Sequence, residues 1–366
     1  MRSFAVCTAA VVSVLLSTTL AQTFTACNYR EKKGCPNNPA LGGNATFNFN
    51  ATMNEQIWRK KNQGLTEKGL EGTTFTIERS GDSPKMDSTF YMLFGRVEVV
   101  MRAANGTGIV SSIMLQSESL DEIDWEFLGD QDEAMTAYFG RGDREKSDGY
   151  TPGEEFPMKS PQADFHNYTL DWTKERIQWW LDDKMVRELK YEDAKGGKRY
   201  PQTPMNVRIG PWAGGDKDNN APGVVEWAKG ETDFSKGPFS MTVKTVYVED
   251  YTKNAKEYSF ADMDDSGDWR KVKVIEGESE ALAQVNNKTT KDRWNGLSHG
   301  AKIGIAAGVL GFVVIAALIG LLYFFRQRRQ GRKEWAAQQA QQDKEASELL
   351  QFQQGQRSGK FGYNRV

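Results

Sequence analysis

The chain has 366 residues, 47 basic and 49 acidic, for a formal net charge of −2, a balance that gives no global attraction to nucleic acid. It is longer than the usual single domain, but several of its segments are not domain, which leaves one core. Only two histidines, His166 and His299, are present, so a Ser-His or His-metal mechanism is poorly provided for. No metal-ligand spacing or nucleotide motif occurs, and no catalytic cofactor or metal is expected.

Met1-Arg2, the apolar run 4–16 and Thr19-Leu20-Ala21 read as a secretory signal peptide, residues 1–21, cleaved before Gln22. Cys7 leaves with it, so Cys27 and Cys35 are the remaining thiols. An oxidising compartment favours a disulfide between them; two free thiols are the alternative. Asn44, Asn50, Asn105, Asn167 and Asn287 each head an Asn-x-Ser/Thr sequon, all on the N-terminal side of the apolar segment described below, in agreement with secretion.

From about residue 44 to 251, short β-rich runs alternate with Gly, Pro, Asn and Asp, without a long helical period. This predicts an all-β sandwich, with strands at 73–78, 90–101, 108–116, 122–128, 168–172, 176–181, 205–209 and 239–248. Tight turns at Trp172-Thr173-Lys174-Glu175-Arg176 and Asp182-Asp183-Lys184 make part of it a meander. Ten Trp, 12 Tyr and 19 Phe supply such a core, and a share of them suits stacking on sugar rings. The pairs Gly196-Gly197 and Gly214-Gly215 lack the strand-to-helix setting of a phosphate loop and read as ordinary loops.

The stretch that carries chemistry is Asp121-Glu122-Ile123-Asp124-Trp125-Glu126-Phe127-Leu128-Gly129. In an extended strand Glu122, Asp124 and Glu126 share one face, and Ile123, Trp125 and Phe127 share the other. Three adjacent carboxylates repel one another and do nothing for folding. A solvated edge strand is the bland alternative, but such faces usually mix in Thr, Ser and Lys. Two carboxyl groups flanking a scissile bond are what glycoside hydrolysis requires. Glu122 then attacks the anomeric carbon, Glu126 protonates the departing oxygen, and Asp124 tunes the proton count of the trio. Cα atoms four residues apart lie about 13 Å from each other on a strand, so a retaining separation of about 5–5.5 Å needs curvature and suitable rotamers. Gln116, just before this strand, is placed to donate to a sugar hydroxyl.

The Glu-x-Asp-x-Glu run resembles the active-site strand of glycoside hydrolase family 16, a β-jelly-roll family. The surrounding phrases are similar to those of its fungal Crh branch, cell-wall transglycosylases that graft chitin onto β-glucan. They are the 27–35 segment, Gly95-Arg96-Val97-Glu98-Val99, Gly108-Ile109-Val110-Ser111-Ser112, Tyr138-Phe139-Gly140-Arg141-Gly142, His166-Asn167-Tyr168-Thr169-Leu170-Asp171-Trp172, Arg208-Ile209-Gly210-Pro211-Trp212-Ala213-Gly214-Gly215 and Glu226-Trp227-Ala228. The unbulged spacing agrees with the Crh and plant xyloglucan groups. The resemblance covers residues 22–255 and implies a cleft lined by Tyr138, Phe139, Arg141, Tyr150, Trp212, Glu226 and Trp227. Trp212 and Trp227 stand out among these, because each adjoins Gly-rich or polar text.

Residues 256–302 read as a polar juxtamembrane linker. Residues 303–325 carry no charge over about 23 positions, enough for a transmembrane helix. Arg326, Arg328, Arg329, Arg332 and Lys333 follow it, against a lone Lys302 before it, which places the 326–366 tail in the cytosol and the N-terminal domain outside. About forty polar residues after the apolar run disfavour a glycosylphosphatidylinositol signal. Gly300, Gly304 and Gly308 form a small-residue stripe suited to pairing two helices.

The resulting expectation is a retaining transglycosylase at the outer face of the plasma membrane or in the fungal cell wall. In its cycle a sugar hydroxyl, in place of water, attacks the glycosyl-enzyme. Chitin as donor and β-glucan or chitin as acceptor follow from the resemblance alone. A plain endo-β-glucanase or chitinase-type hydrolase, and a non-catalytic polysaccharide-binding sensor with the tail as its output, are the alternatives.

Overall fold

The computed structural model describes residues 25–61, 63–143, 152–286 and 298–357; the expected signal peptide, Tyr150 and the Asn287 sequon lie outside them. Strands in chain order are β1 (Asn38–Pro39), β2 (Asn44–Asn48), β3 (Trp58–Lys61), β4 (Leu65–Lys68), β5 (Thr73–Ile77), β6 (Lys85–Ser88), β7 (Gly95–Arg102), β8 (Gly106–Ser117) and β9 (Glu122–Gly129). They continue with β10 (Glu133–Phe139), β11 (Glu154–Pro157), β12 (His166–Trp172), β13 (Arg176–Leu181), β14 (Lys184–Lys190), β15 (Met205–Ala213), β16 (Phe239–Asp250), β17 (Ala255–Ser259) and β18 (Lys273–Glu276).

A seven-stranded antiparallel sheet runs β11-β10-β9-β8-β15-β6-β3. A second, of eight strands, runs β14-β13-β12-β7-β16-β5-β4, with β2 beside β16. β2 and β5 line up end to end along one edge of the long β16, pairing Val246 with Phe47 and Met241 with Phe75. Period-two patterning explains the layers: in β7, Val97, Val99 and Met101 are buried, while Arg96, Glu98, Val100 and Arg102 are half-exposed. The buried sets of both sheets meet in one core rich in Trp58, Trp125, Trp172, Trp179 and Tyr168. Two indoles also bond across the interface. Trp125 of β9 donates to the Thr169 carbonyl at 3.2 Å, and Trp179 of β13 donates to the Asp124 carbonyl at 3.0 Å. These strands thus form an all-β, jelly-roll-like sandwich, as the periodicity predicts.

The β12-β13-β14 meander is present, and its second turn puts Asp182 and Asp183 at φ 46° and 64°, the left-handed pair that a two-residue hairpin turn requires. Cys27 and Cys35 form a disulfide with Cα atoms 5.8 Å apart. Asn44, Asn50 and Asn105 are exposed, and Asn167 is half-buried.

The expected linker needs correction. Residues 256–286 belong to the first compact unit, which runs to Asn287. Tyr258, Phe260, Met263, Val272 and Ala281 bury themselves in the core, and β1-β17-β18 form a small third sheet. Apolar residues separated by polar ones concealed this strand pair in the sequence. Among the described residues the second unit consists of the helix His299–Arg357. Among the described residues no helix is long and apolar enough to cross a membrane, so the transmembrane expectation at 303–325 is not supported by them. Side chains at 305, 306, 309, 310, 313 and 314 lie outside that description.

Asp250, at the end of β16, ties the third sheet to the second. It is 0 % exposed and accepts from the Gly42 and Thr252 backbone N–H groups at 3.0 Å each and from the Tyr258 hydroxyl at 2.6 Å. Burial outweighs those donors and pushes its carboxyl up to about 7. The folded chain therefore retains a proton that the unfolded chain releases near 3.8, so the contribution of this one group to stability is greatest at low pH and declines as pH rises toward 7. The expected contribution to this decline is on the order of 4 kcal/mol between about pH 4 and 7. Denaturant titrations across that range should show the slope in the native protein and its loss in Asp250→Asn; an unchanged slope in the variant would contradict the assignment.

Candidate active site

β9 lies inside the seven-stranded sheet, flanked by β8 and β10. Against β8 the register pairs Gln116 with Glu122, Met114 with Asp124 and Ser112 with Glu126. Against β10 it pairs Phe139 with Glu122, Ala137 with Asp124 and Met135 with Glu126. Neither register slips over this segment, so the strand is unbulged and the three carboxylates share one face. Ile123, Trp125 and Phe127 are 0 % exposed on the other. Beyond β8, strand β15 places Asn206, Arg208, Gly210 and Trp212 on the carboxylate face.

Glu122 and Asp124 are each only 2 % exposed, while Glu126 is half-buried. Glu122 Oε2 accepts from Gln116 Nε2 at 2.8 Å, and Gln116 Oε1 accepts from Arg208 Nη1. Arg208 Nε donates in turn to Asn206 Oδ1 at 3.0 Å. The start of the strand is held by Asp121, whose Oδ1 accepts from the Arg141 N–H at 2.7 Å. Its Oδ2 accepts from the N–H groups of Gln202 and Thr203 at 2.9 Å and from Thr203 Oγ1 at 2.6 Å. Burial raises the Asp121 pKa against the pull of these donors. Asp121 is a brace that fastens two loops to β9.

Of the residues expected to hold polysaccharide, two are placed differently. Tyr138 pairs with Ile123 and is 3 % exposed, so it belongs to the core, where the Arg187 guanidinium lies 5.3 Å from its ring centre. Its neighbour Phe139 is half-exposed opposite Glu122 and is the β10 aromatic on the cleft face. Gln116 is 0 % exposed, and its amide bonds Glu122 and Arg208 where a sugar hydroxyl was expected. Period two separates Tyr138 from Phe139, but only the strand register tells which of them faces the acids.

Trp212 and Trp227 are brought together. Their ring centres are 5.9 Å apart with planes inclined by 15°, and both rings are half-buried. They pack on Val110, Leu128 and Ala228, an apolar patch separate from the main core. Leu128 lies two residues past Glu126 on the same face, so the patch continues the carboxylate row. Trp227 ends the helical turn Pro222–Trp227, on which Glu226 is exposed. Arg141, with φ 62°, is half-buried and accepts from Arg30 Nη1 through its carbonyl at 3.2 Å.

Three glycines let these loops meet. A Cβ on Gly215 would stand 2.2 Å from the Gly230 carbonyl oxygen, and one on Gly108 (φ 75°) would stand 2.8 Å from Gly215 Cα. The Gly215 N–H donates to the Gly108 carbonyl at 2.8 Å, joining the start of β8 to the end of β15. Gly214-Gly215, read from sequence as an ordinary loop, is one strand of this crossing beside the Trp pair. At the Glu122 end lies a cavity of about 290 Å³ lined by Arg59, Lys61, Asp87, Tyr91, Asn206 and Arg208 among others, with the Cys27–Cys35 loop on one side.

The model of glycosyl hydrolases family 16 matches residues 48–229. A Crh-like protein of Arthroderma benhamiae is 48% identical over 326 residues, covering 88% of this chain and 87% of that protein. Crh-like protein 3 of Aspergillus fumigatus is 44% identical over 338 residues, covering 91% and 90%. The chain belongs to glycosyl hydrolases family 16. Among solved structures, Crh5 transglycosylase in complex with NAG matches with 45% identity and a TM-score of 0.63, over 68% of this chain and 100% of that one. The carboxylate trio thus lies at one end of this sheet face and the aromatic patch at the other. Trp212→Ala and Trp227→Ala are expected to weaken oligosaccharide affinity about tenfold each, with little added loss in the double variant because the rings act as a pair. Calorimetric titration of the three proteins checks this.

Proposed function

We propose that the protein is a retaining cell-wall transglycosylase in which Glu122 is the nucleophile and Glu126 the acid and base. Asp124, between them, tunes their proton count. In the first half of the cycle Glu122 attacks the anomeric carbon while Glu126 gives its proton to the departing sugar oxygen. In the second, Glu126 takes the proton of an incoming sugar hydroxyl, which displaces Glu122 and completes the new glycosidic bond. The observation that carries this reading is the unbulged strand, which puts Glu122, Asp124 and Glu126 on one face, with Gln116 donating to the first of them. Chitin as donor and β-glucan or chitin as acceptor are part of the proposal, supported by the likeness to the Crh-like proteins and to the NAG-bound Crh5 transglycosylase. Arg141, Glu226, Trp212 and Trp227 are proposed to contact the sugar chain. Hydrolysis by water at the same centre is the second reading, since nothing in the trio itself selects the acceptor.

The proposal also includes residues 1–21 as a signal peptide, and glycans at Asn44, Asn50, Asn105, Asn167 and Asn287. The catalytic unit stands outside the plasma membrane, and residues 303–325 anchor it with the tail in the cytosol. What supports the anchor is the uncharged length of that run and the five basic residues just after it.

The test mixes the protein with chitin oligosaccharides and a labelled β-1,3-glucan oligosaccharide and reads products by mass. Mixed-sugar products that vanish in Glu122→Gln are expected. Shortened glucan alone would mean a hydrolase, and binding without products would mean a polysaccharide sensor. Asp124→Asn is expected to lower turnover by about a hundredfold, within the usual range for groups that handle catalytic protons, while leaving oligosaccharide binding intact.

A further inference from the structure

The side-chain amide of Gln116 has two orientations, and only one serves Glu122. With Nε2 toward Glu122 the amide donates to the carboxylate; flipped, it opposes one oxygen to another. In isolation the flip is nearly free, because the two ends have the same shape. Here the far end of the amide meets Arg208 Nη1, which only donates, so the atom beside it has to be the acceptor Oε1. Arg208 is itself directed: its Nε donates to Asn206 Oδ1 at 3.0 Å, while Asn206 Nδ2 donates to the Ser88 carbonyl at 3.1 Å. Starting from a backbone carbonyl, each member fixes the polarity of the next, and the last N–H points at Glu122 Oε2 at 2.8 Å. All of these side chains are buried: Gln116 is 0 %, Asn206 and Arg208 are 5 %, and Glu122 is 2 % exposed.

We propose that Arg208 is a positioning residue for Glu122, acting through Gln116, with Asn206 setting the direction of Arg208. This rests on the reading of Glu122 as the nucleophile. The relay holds the attacking carboxylate in one rotamer before the sugar arrives. It also keeps the same N–H on Glu122 when its charge is lost to the glycosyl bond and when it returns.

A double-mutant cycle tests it, with Gln116→Met, Arg208→Met and the pair in the full chain, reading kcat/KM for the donor oligosaccharide alongside the thermal midpoint. Each single variant is expected to lose on the order of tenfold to a hundredfold in kcat/KM, and the pair no more than Gln116→Met alone to within about threefold, because the effect of Arg208 passes through the amide. Losses that multiply in the pair would overturn the proposal. Arg208→Lys, which keeps a cationic donor at the amide, is expected to recover a large part of the rate. If Arg208→Met does not fold, the same cycle is run with Arg208→Lys, whose deficit should vanish in the Gln116→Met background; a deficit that persists counts against the relay. Glu122→Gln separates the two levels. Intact turnover in that variant removes the nucleophile reading itself, whereas abolished turnover beside an unaffected Arg208→Met removes only the relay.

Discussion

The cleft depends on one strand that is buried on both sides. Glu122, Asp124 and Glu126 gain nothing from lying in a row, and their repulsion has to be offset elsewhere. Ile123, Trp125 and Phe127, each 0 % exposed, supply the offset from the opposite face. Full burial of one such side chain stabilises by about 1.5–3 kcal/mol, and the three together offset part of what the buried carboxylates cost. The Trp125 and Trp179 indoles then bond across the sandwich, one of them to the Asp124 carbonyl, and fix the strand in depth as well as in register.

The rest of the site is arranged around that strand by hydrogen-bond direction at one end and by apolar contact at the other. Near Glu122 the neighbours are polar and buried, and each is oriented by the next. Past Glu126 the same face turns apolar, and the Trp212–Trp227 stack rests on Val110, Leu128 and Ala228. The crossing of Gly108, Gly215 and Gly230 makes this possible, because a side chain on Gly108 or Gly215 would meet the Gly230 carbonyl and hold the loop after Trp227 away from β15. A polar, directional end holds its groups in fixed geometry, as the proposed nucleophile requires.

Much of this was legible in the chain. The period-two alternation in β9 named the acids and their face without any coordinates, and the large apolar residues between them named the core side. The disulfide joins Cys27 and Cys35, the two thiols outside the expected signal peptide. The cleft aromatics were legible in part: Tyr138 and Phe139 are adjacent, so they had to point opposite ways, yet nothing in the two letters says which faces Glu122. Gln116 was read as a sugar donor because its spacing suited the cleft, whereas its burial beside Arg208, 92 residues away, turns it to Glu122. Residues 256–286 read as a linker because the third sheet is built from short strands whose partner β1 lies more than two hundred residues earlier.

By itself, then, the sequence determined the chemistry on offer: three carboxylates at alternate positions, few histidines, many aromatics and a strand that has to bury its other face. These are local properties, set by residue type and by the two-residue repeat of an extended chain. Only the tertiary structure decided which groups meet those carboxylates. Strand register, the direction of each amide and the close passage of three glycines all depend on contacts between distant parts of the chain, and no local period encodes them.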